Sequence, residues 1–383
     1  MRDGTLRLLA SGLVVAAACG PGTPPAESPD PRLSPVLAMS SADTAGFERA
    51  LSPRDFVFPR DHGPHPDFKL EWWYLVGNLE SVNGRRFGYQ LTFFRQATSA
   101  EEPERRSAWA TRQLYMAHFA VAVADADGGG FHSWERFSRG AAGLAGAELE
   151  PFRVWVDDWR IASCGEDFLP LCLHARDDGV SLDLTLDTEK PLVLQGEDGL
   201  SRKSATPGNA SYYYSYTRLR AEGAVRVGGG VWDVRGSGWL DREWSTGGLE
   251  EDQVGWDWFA LQLDDGRDLM FYRLRRAGGS VEPLSHGSLV AADGTSRRLA
   301  LEDVELEVLR SWRSPSGTDY PAGWRLRLPA SGLELTVEPL LADQELDAAF
   351  RYWEGAVGVR GSEGGRTVAG KGYVELVGYR FGE

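Results

Sequence analysis

An all-β chain of two tandem antiparallel units, related by an internal duplication and each closing into a barrel, is the fold class this sequence predicts. Three observations carry it. Composition favours strands and tight turns, with 14 Trp, 46 Gly and 20 Pro beside only 4 Met in 383 residues. Blocks of sequence recur in the same order along the chain. The recurring blocks alternate with period two or sit at Asn-Gly and Asp-Gly turns, the sequence form of strands joined by tight hairpins.

At the start of each half, Trp72-Trp73-Tyr74 leads to a turn at Asn83-Gly84-Arg85, and Trp256-Asp257-Trp258-Phe259 leads to one at Asp265-Gly266-Arg267. Trp159-Arg160 matches Trp312-Arg313, and the run Leu182 to Asp187 matches Leu333 to Glu338. Each half ends in an EGAVxV block, Glu222 to Val227 and Glu354 to Val359, followed by Gly-x-Gly-aromatic-aliphatic-acid, Gly236 to Asp241 and Gly370 to Glu375. Roughly eight strands per half suit a sheet closed on itself, although the strand pattern alone also allows two sandwiches. Helical periodicity is nearly absent; the best candidate is Ala342 to Arg351, with a weaker one at Thr44 to Leu51.

The first residues have a different character. Arg2 and Arg7 precede an apolar stretch from Leu8 to Ala18, too short to span a bilayer and suited to a secretory signal. It ends in Ala16-Ala17-Ala18-Cys19-Gly20, which resembles a lipobox with Cys19 as the lipidated residue; plain secretion with Cys19 discarded is the alternative. Pro21, Pro24, Pro25, Pro29, Pro31 and Pro35 then mark a tether. The expected organisation is a signal at 1–18, a lipidated cysteine and tether at 19–51, and two domains at 52–248 and 249–383. Location is then the bacterial envelope, anchored in a membrane by lipid and facing the periplasm or exterior. Cys164 and Cys172 are the remaining cysteines and pair as a disulfide or stay as two buried thiols.

Several function classes fall away. Net charge is −15, from 41 basic and 56 acidic residues, with no basic run, so nucleic acid is not an expected partner. There is no P-loop and no GxSxG elbow, so an NTPase and a lipase-type hydrolase lack their usual support. His62-Gly63-Pro64-His65 stands without HExxH or CxxC context, so no metal and no cofactor is expected.

The blocks Phe58 to Gly63, Glu71-Trp72-Trp73-Tyr74, Gly238 to Trp244 and Gly255 to Phe259 resemble the AttH-like and carotenoid 1,2-hydratase superfamily over roughly residues 52 to 383. That resemblance implies tandem lipocalin-like barrels, association with ABC-type export permeases, and chemistry such as hydration of an isoprenoid double bond or cyclisation of a polyene. Trp239 and Asp241 reproduce the aromatic-x-acid pair of the hydratase members. The His and Trp two apart that those members carry upstream are Tyr212 and Tyr214 here, a departure that argues against carotenoid hydration itself.

Strand periodicity puts Trp239, Asp241 and Glu243 on one face, and Tyr212, Tyr214 and Tyr216 on one face. With both faces inward, Asp241 is a desolvated general acid among aromatic rings, with Tyr214 as a hydrogen-bond donor; the structural alternative pairs Asp241 with Arg242 and leaves Trp239 as packing. Glu71, Gln90 and Arg95 either line a polar spot with Trp73 or lock barrel register through an Arg-Glu pair. His118 is a ligand-binding group or a satisfied core histidine. Tyr212, Trp256 and Trp258 stack a ligand or fill a core. Three functions follow: a carrier binding a hydrophobic small molecule in an aromatic-lined barrel cavity, an enzyme using Asp241 on an unsaturated substrate, and an envelope scaffold.

Overall fold

The computed structural model describes residues 44–102, 104, 106–124 and 129–379. The expected signal, Cys19 and the tether as far as residue 43 lie outside the described residues. The first half contains β1 (Leu70–Ser81), β2 (Arg86–Ala97), β3 (Gln113–Ala124), β4 (Gly130–Arg139), β5 (Ala145–Leu149), β6 (Phe152–Val156), β7 (Trp159–Ser163), β8 (Leu171–Asp177), β9 (Val180–Thr188), β10 (Val193–Leu194), β11 (Leu200–Arg202), β12 (Ala210–Val227) and β13 (Gly230–Ser245). The second contains β14 (Gln253–Leu263), β15 (Asp268–Arg276), β16 (His286–Val290), β17 (Ser296–Ala300), β18 (Glu305–Val308), β19 (Ser311–Arg313), β20 (Asp319–Pro321), β21 (Trp324–Leu328), β22 (Leu333–Pro339), β23 (Glu345–Asp347), β24 (Arg351–Glu363) and β25 (Arg366–Val377).

The first sheet runs β4-β3-β2-β1-β13-β12-β9-β8-β7-β6-β5 and the second runs β17-β16-β15-β14-β25-β24-β22-β21-β18. These are the same order written twice: in each half the opening hairpin lies against the closing strand, and the pairings are antiparallel. The result is two tandem lipocalin-like barrels, the first nearly closed and the second a half-barrel. The described residues all fall within one compact unit.

Register shows which repeats are equivalent. Tyr74 lies opposite Asp241 on β13, as Trp258 lies opposite Glu375 on β25, so the opening and closing blocks correspond. The EGAVxV blocks do not. Gly223 faces Leu184 on β9, whereas the glycine facing the matching Leu335 on β22 is Gly361, six residues beyond Gly355. A Cβ on either of those glycines would sit 2.1 Å from the Asp183 carbonyl oxygen or 1.9 Å from that of Glu334, so the same close approach selects Gly in both halves. Trp312 also departs from its expected match: it lies on β19, which forms a two-stranded sheet with β20, while Trp159 lies within the main sheet.

The helix expected over Ala342 to Arg351 is instead the short strand β23 and a turn. Tertiary hydrogen bonds account for it: Gln344 Nε2 donates to the Leu341 and Ala356 carbonyls, and the Trp353 indole donates to the Ala342 carbonyl. Thr44 to Leu51 is likewise turn and irregular chain.

The barrel interiors are packed. Trp73, Phe93, Tyr214, Trp244 and Leu240 belong to the first core, and Phe259, Trp324 and Trp353 to the second. Strand β1 is buried along almost its whole length, because one face meets its own barrel core and the other meets the second barrel. That junction is reciprocal: Asn78 Nδ2 donates to the Gly372 carbonyl at 2.9 Å, and its counterpart Gln262 donates to the Gly238 carbonyl at 2.9 Å. Such pairing of equivalent groups is the signature of a twofold interface, here between two halves of one chain.

Cys164 and Cys172 are joined, closing a loop whose Phe168 stacks on His62 with ring centroids 3.6 Å apart. Cys172→Ser is expected to lower stability by about 2–3 kcal/mol through the looser unfolded chain, read from urea midpoints with and without reductant. An unchanged midpoint would mean that the bridge constrains nothing.

Candidate functional site

The cavity of interest lies between the barrels, because the barrel interiors are filled by their own side chains. Its volume is about 120 Å³. The walls come from Trp72 and Tyr74 on β1, Tyr213 on β12, Asp241 and Glu243 on β13, Trp256 and Trp258 on β14, Tyr272 on β15 and Glu375 on β25. Gly247, Gly248 and Leu249, the connection from one barrel to the next, complete it.

Asp241 is 4% exposed. Its Oδ1 accepts from Ser215 Oγ at 2.5 Å and Trp239 Nε1 at 2.7 Å, and its Oδ2 accepts from Tyr213 Oη at 2.6 Å. The Trp258 indole in turn donates to the Tyr213 hydroxyl at 3.3 Å, which orients that hydroxyl toward Asp241. Burial pushes the Asp241 carboxyl up to about 7, against these three donors, and the neighbouring Glu243 adds to the rise. Tyr213 stays protonated, since burial and then the charges of Asp241 and Glu243 raise its pKa well above the usual tyrosine value.

The matching position in the second closing strand is Glu375. Burial raises its carboxyl as well, despite the Trp256 indole beside it, and the charges of Asp241 and Glu243 reinforce the rise. Glu354 lies directly opposite Glu375 on β24 and is raised further by complete burial and by that neighbour. Glu243 pairs with Lys203 at 2.9 Å and accepts from Ser211 Oγ. One cavity therefore holds the Lys203–Glu243 contact beside two carboxyls, Asp241 and Glu375, whose proton affinity is shifted toward neutrality.

Residues 49–379 match the AttH-like family. The chain belongs to the AttH-like family. An AttH protein from Nitrosomonas europaea is 35% identical, the alignment covering 87% of this chain and 100% of that one with a TM-score of 0.76. Kievitone hydratase from Nectria haematococca shares the fold at 17% identity, covering 88% and 98% with a TM-score of 0.65. CghA, crystallised with Sch210972, shares it at 12% identity, covering 90% and 97% with a TM-score of 0.51. No curated protein matches the sequence.

In this AttH-like chain the residues singled out from sequence fall into four places. Asp241, Trp239, Trp256 and Trp258 meet at the cavity or its wall. Tyr212 and Tyr214 do not join them. Successive strand residues point to opposite faces, so Tyr213 reaches Asp241 while its neighbours turn into the first barrel, Tyr214 bonding His62 at 2.7 Å and Tyr212 the Ser52 carbonyl at 3.0 Å. The expected Asp241–Tyr214 pairing is thus replaced by Asp241–Tyr213.

Glu71, Arg95 and Trp73 form the third group, with Arg242. Glu71 Oε1 accepts from Arg95 Nε at 2.5 Å and its Oε2 from an Arg242 terminal nitrogen at 2.6 Å, while the Arg242 guanidinium lies 3.9 Å from the Trp73 ring centroid. Burial alone would raise the Glu71 carboxyl, but the two guanidiniums hold it well below the usual range. Arg242 thus pairs with Glu71 and leaves Asp241 to the neutral donors. The Phe58 to Gly63 block folds over this cluster, and its His62 stays neutral, burial and then Arg242 lowering its pKa to about 3.

Gln90 and His118 form the fourth group, bridging to the second barrel. His118 Nδ1 and the Tyr352 hydroxyl are 2.6 Å apart, His118 Nε2 lies 3.0 Å from Glu135, and Gln90 Nε2 donates to Glu354 at 2.6 Å. Sequence reasoning named Tyr213 only within the aromatic run Tyr212 to Tyr214, and it missed Lys203, Glu354 and Glu375. Only Glu375 carried a signal, as the acid matching Asp241 in the repeated closing block.

Proposed function

We propose that this protein is an acid–base enzyme of the hydratase or isomerase type, acting on a hydrophobic small molecule whose double bond sits between the barrels. One observation carries the reading: two carboxyls at equivalent positions of the duplication, Asp241 and Glu375, share an aromatic-lined cavity, and both are shifted toward neutrality. A carboxyl titrating near 7 holds a proton to give and is acidic enough to give it.

The chemistry balances within this set. The π pair of the alkene takes the Asp241 proton to form a C–H bond, leaving a carbocation beside the rings of Trp256, Trp258 and Tyr213, whose electron-rich faces stabilise it. Water then adds through an oxygen lone pair and passes its proton to the Glu375 carboxylate, giving an alcohol. Loss of an adjacent C–H proton to Glu375 gives the isomer instead. In either case one proton returning from Glu375 to Asp241 restores the starting state.

A cavity of about 120 Å³ is below the roughly 300–1,000 Å³ of sites that enclose a whole ligand, which favours reaction at one part of a molecule over storage of all of it. The hydratase among the proteins of this fold is in keeping with the reading. The Cys164–Cys172 bridge supports work in an oxidising compartment, and an envelope location with a lipid on Cys19 is part of the proposal.

Incubation with isoprenoid and phenolic alkenes in deuterated water tests it. The expected result is carbon-bound deuterium in a product detected by mass spectrometry, with a rate governed by a group titrating near 7. Ligand retained in native mass spectra without any incorporation would replace the enzyme by a carrier.

A further inference from the structure

The duplication that pairs Asp241 with Glu375 leaves their neighbours unequal. On β12 the residue directly opposite Asp241 is Ser215, and on β24 the residue directly opposite Glu375 is Glu354. A tyrosine stands two positions before each, Tyr213 and Tyr352, so the surroundings repeat while a hydroxyl in the first half becomes a carboxyl in the second. Ser215 Oγ donates to the Asp241 carboxyl. Glu354 can take the same part toward Glu375 only with a hydrogen of its own.

Its place in the fold supplies one. Residues directly opposite on neighbouring strands hold their Cβ atoms roughly 5 Å apart on one face of the sheet, so the two carboxyls are neighbours. No described Lys or Arg pairs with either; the charged groups nearest Glu375 are Asp241 and Glu243 on β13, which add repulsion, and Lys203 is taken by Glu243. Two like charges enclosed together do not both persist, so the pair keeps one proton at neutral pH. Hydrogen bonding and burial choose its owner. Glu375 lines the cavity with the Trp256 indole beside its carboxyl, whereas Glu354 is 0% exposed. Gln90 Nε2 donates to Glu354 Oε2 at 2.6 Å, and Oε1 has no partner among the described residues, which leaves Oε1 to carry the hydrogen. Tyr74 on β1, Tyr352 on β24 and Tyr373 on β25 also face Glu354, and burial first and that carboxyl second raise the pKa of all three, so each keeps its own proton. Behind Tyr352 stand His118 on β3 and then Glu135 on β4, which fix its hydroxyl.

We propose that Glu354 and Glu375 share a single proton, which Glu354 holds and donates as a hydrogen bond to the Glu375 carboxylate. Glu354 is thus a positioning residue that acts through Glu375. Its consequence rests on the enzyme reading given above: the pair sets the direction of the chemistry, Asp241 giving a proton and Glu375 receiving the one that water releases. Glu375 takes that proton on its carboxylate while Glu354 keeps its own hydrogen, so the pair passes from one proton to two and back to one.

Carbon-13 NMR of the full-length protein labelled at glutamate Cδ tests the pair without any substrate, Glu354→Gln and Glu375→Gln identifying the two signals. The expected result is a Glu375 signal that titrates near 7, beside a Glu354 signal still protonated where Glu375 has ionised. Both ionising together, or Glu354 before Glu375, overturns the proposal. Turnover of the isoprenoid and phenolic alkenes gives a second readout. In Glu354→Gln an amide N–H replaces the acid O–H, so the acidic limb of the rate, which reports ionisation of Glu375, stays in place. In Glu354→Leu the donor is gone, and the limb is expected to rise by about one pH unit, roughly a tenfold loss of turnover at pH 6. A limb that moves equally in both variants, or in neither, also overturns the proposal, because a packing role treats the two alike. The two readings fail separately: a shared proton without deuterium incorporation keeps the pair and removes the catalysis, while incorporation with two independently ionising carboxyls does the reverse.

Discussion

Asp241→Asn is expected to lower turnover by about 10²- to 10⁴-fold, the usual contribution of a positioned general acid, while making the protein more stable above neutral pH. The two effects have one cause. Asparagine keeps the geometry: its Oδ1 can accept from Ser215 and Trp239, and its Nδ2 can donate to the Tyr213 hydroxyl. It removes only the proton and the charge. In the parent, burial raises this carboxyl from 3.8 to about 7. The folded state then binds more protons than the unfolded state between those values. Stability is greatest below about 4 and falls as pH rises toward 7, by on the order of 4 kcal/mol from this residue. Asparagine has nothing to ionise, so its contribution is level across that window. Urea midpoints of both proteins from pH 4 to pH 8 check this, the difference between the two curves cancelling the groups that Asp241 does not touch and keeping, besides Asp241 itself, the change its lost charge makes at Glu375. Parallel curves would mean that Asp241 ionises normally and would remove the physical basis of its acid role.

Glu71→Ala is expected to destabilise the fold by about 3–5 kcal/mol without any connection to chemistry at the cavity. Arg95 and Arg242 are each 1% exposed, and Glu71 is their shared counter-ion. Removing the carboxylate leaves two buried cations facing one another, with the Arg242 guanidinium still held against Trp73. Glu71→Gln, which keeps an acceptor oxygen for one of them, should recover part of the loss. The sign of the pH dependence is opposite to that of Asp241. The Glu71 carboxyl is held below its usual range, so its stabilisation is present above the unfolded value near 4.5 and disappears as pH falls. Denaturation midpoints at pH 7 and pH 4 measure both effects; a loss of less than about 1 kcal/mol at pH 7 would place this triad with ordinary surface ion pairs.

Much of the fold is legible because strand chemistry is local. Alternation, Asn83-Gly84 and Asp265-Gly266 turns, and the repeated opening and closing blocks identify the barrel hairpins, since side-chain direction and turn type follow from neighbouring residues. The misleading match was the most literal one. The EGAVxV blocks read alike, yet Gly223 corresponds to Gly361, because register is set by the strands on either side and by where a backbone approaches too closely for a Cβ. The helical reading of Ala342 to Arg351 yielded in the same way to bonds from Gln344 and Trp353, partners that local pattern does not reveal.

For the site, the sequence by itself determined that Asp241 and Glu375 are counterparts, that Trp239 and Glu243 share a face with Asp241, and that Glu71 and Arg95 lie on the two strands of one hairpin. Tertiary structure decided what those faces meet. A strand in a closed sheet has two faces, and period-two patterning separates them without saying which is the lumen. Here the second barrel covers the outward face, so Tyr213 rather than Tyr214 reaches Asp241, and the cavity opens between the barrels. Burial raised the proton affinity of both carboxyls through desolvation, an effect of surroundings contributed by β1, β12, β13, β14 and β25 together. No single strand carries that information, because the low-polarity environment exists only once two barrels are pressed face to face.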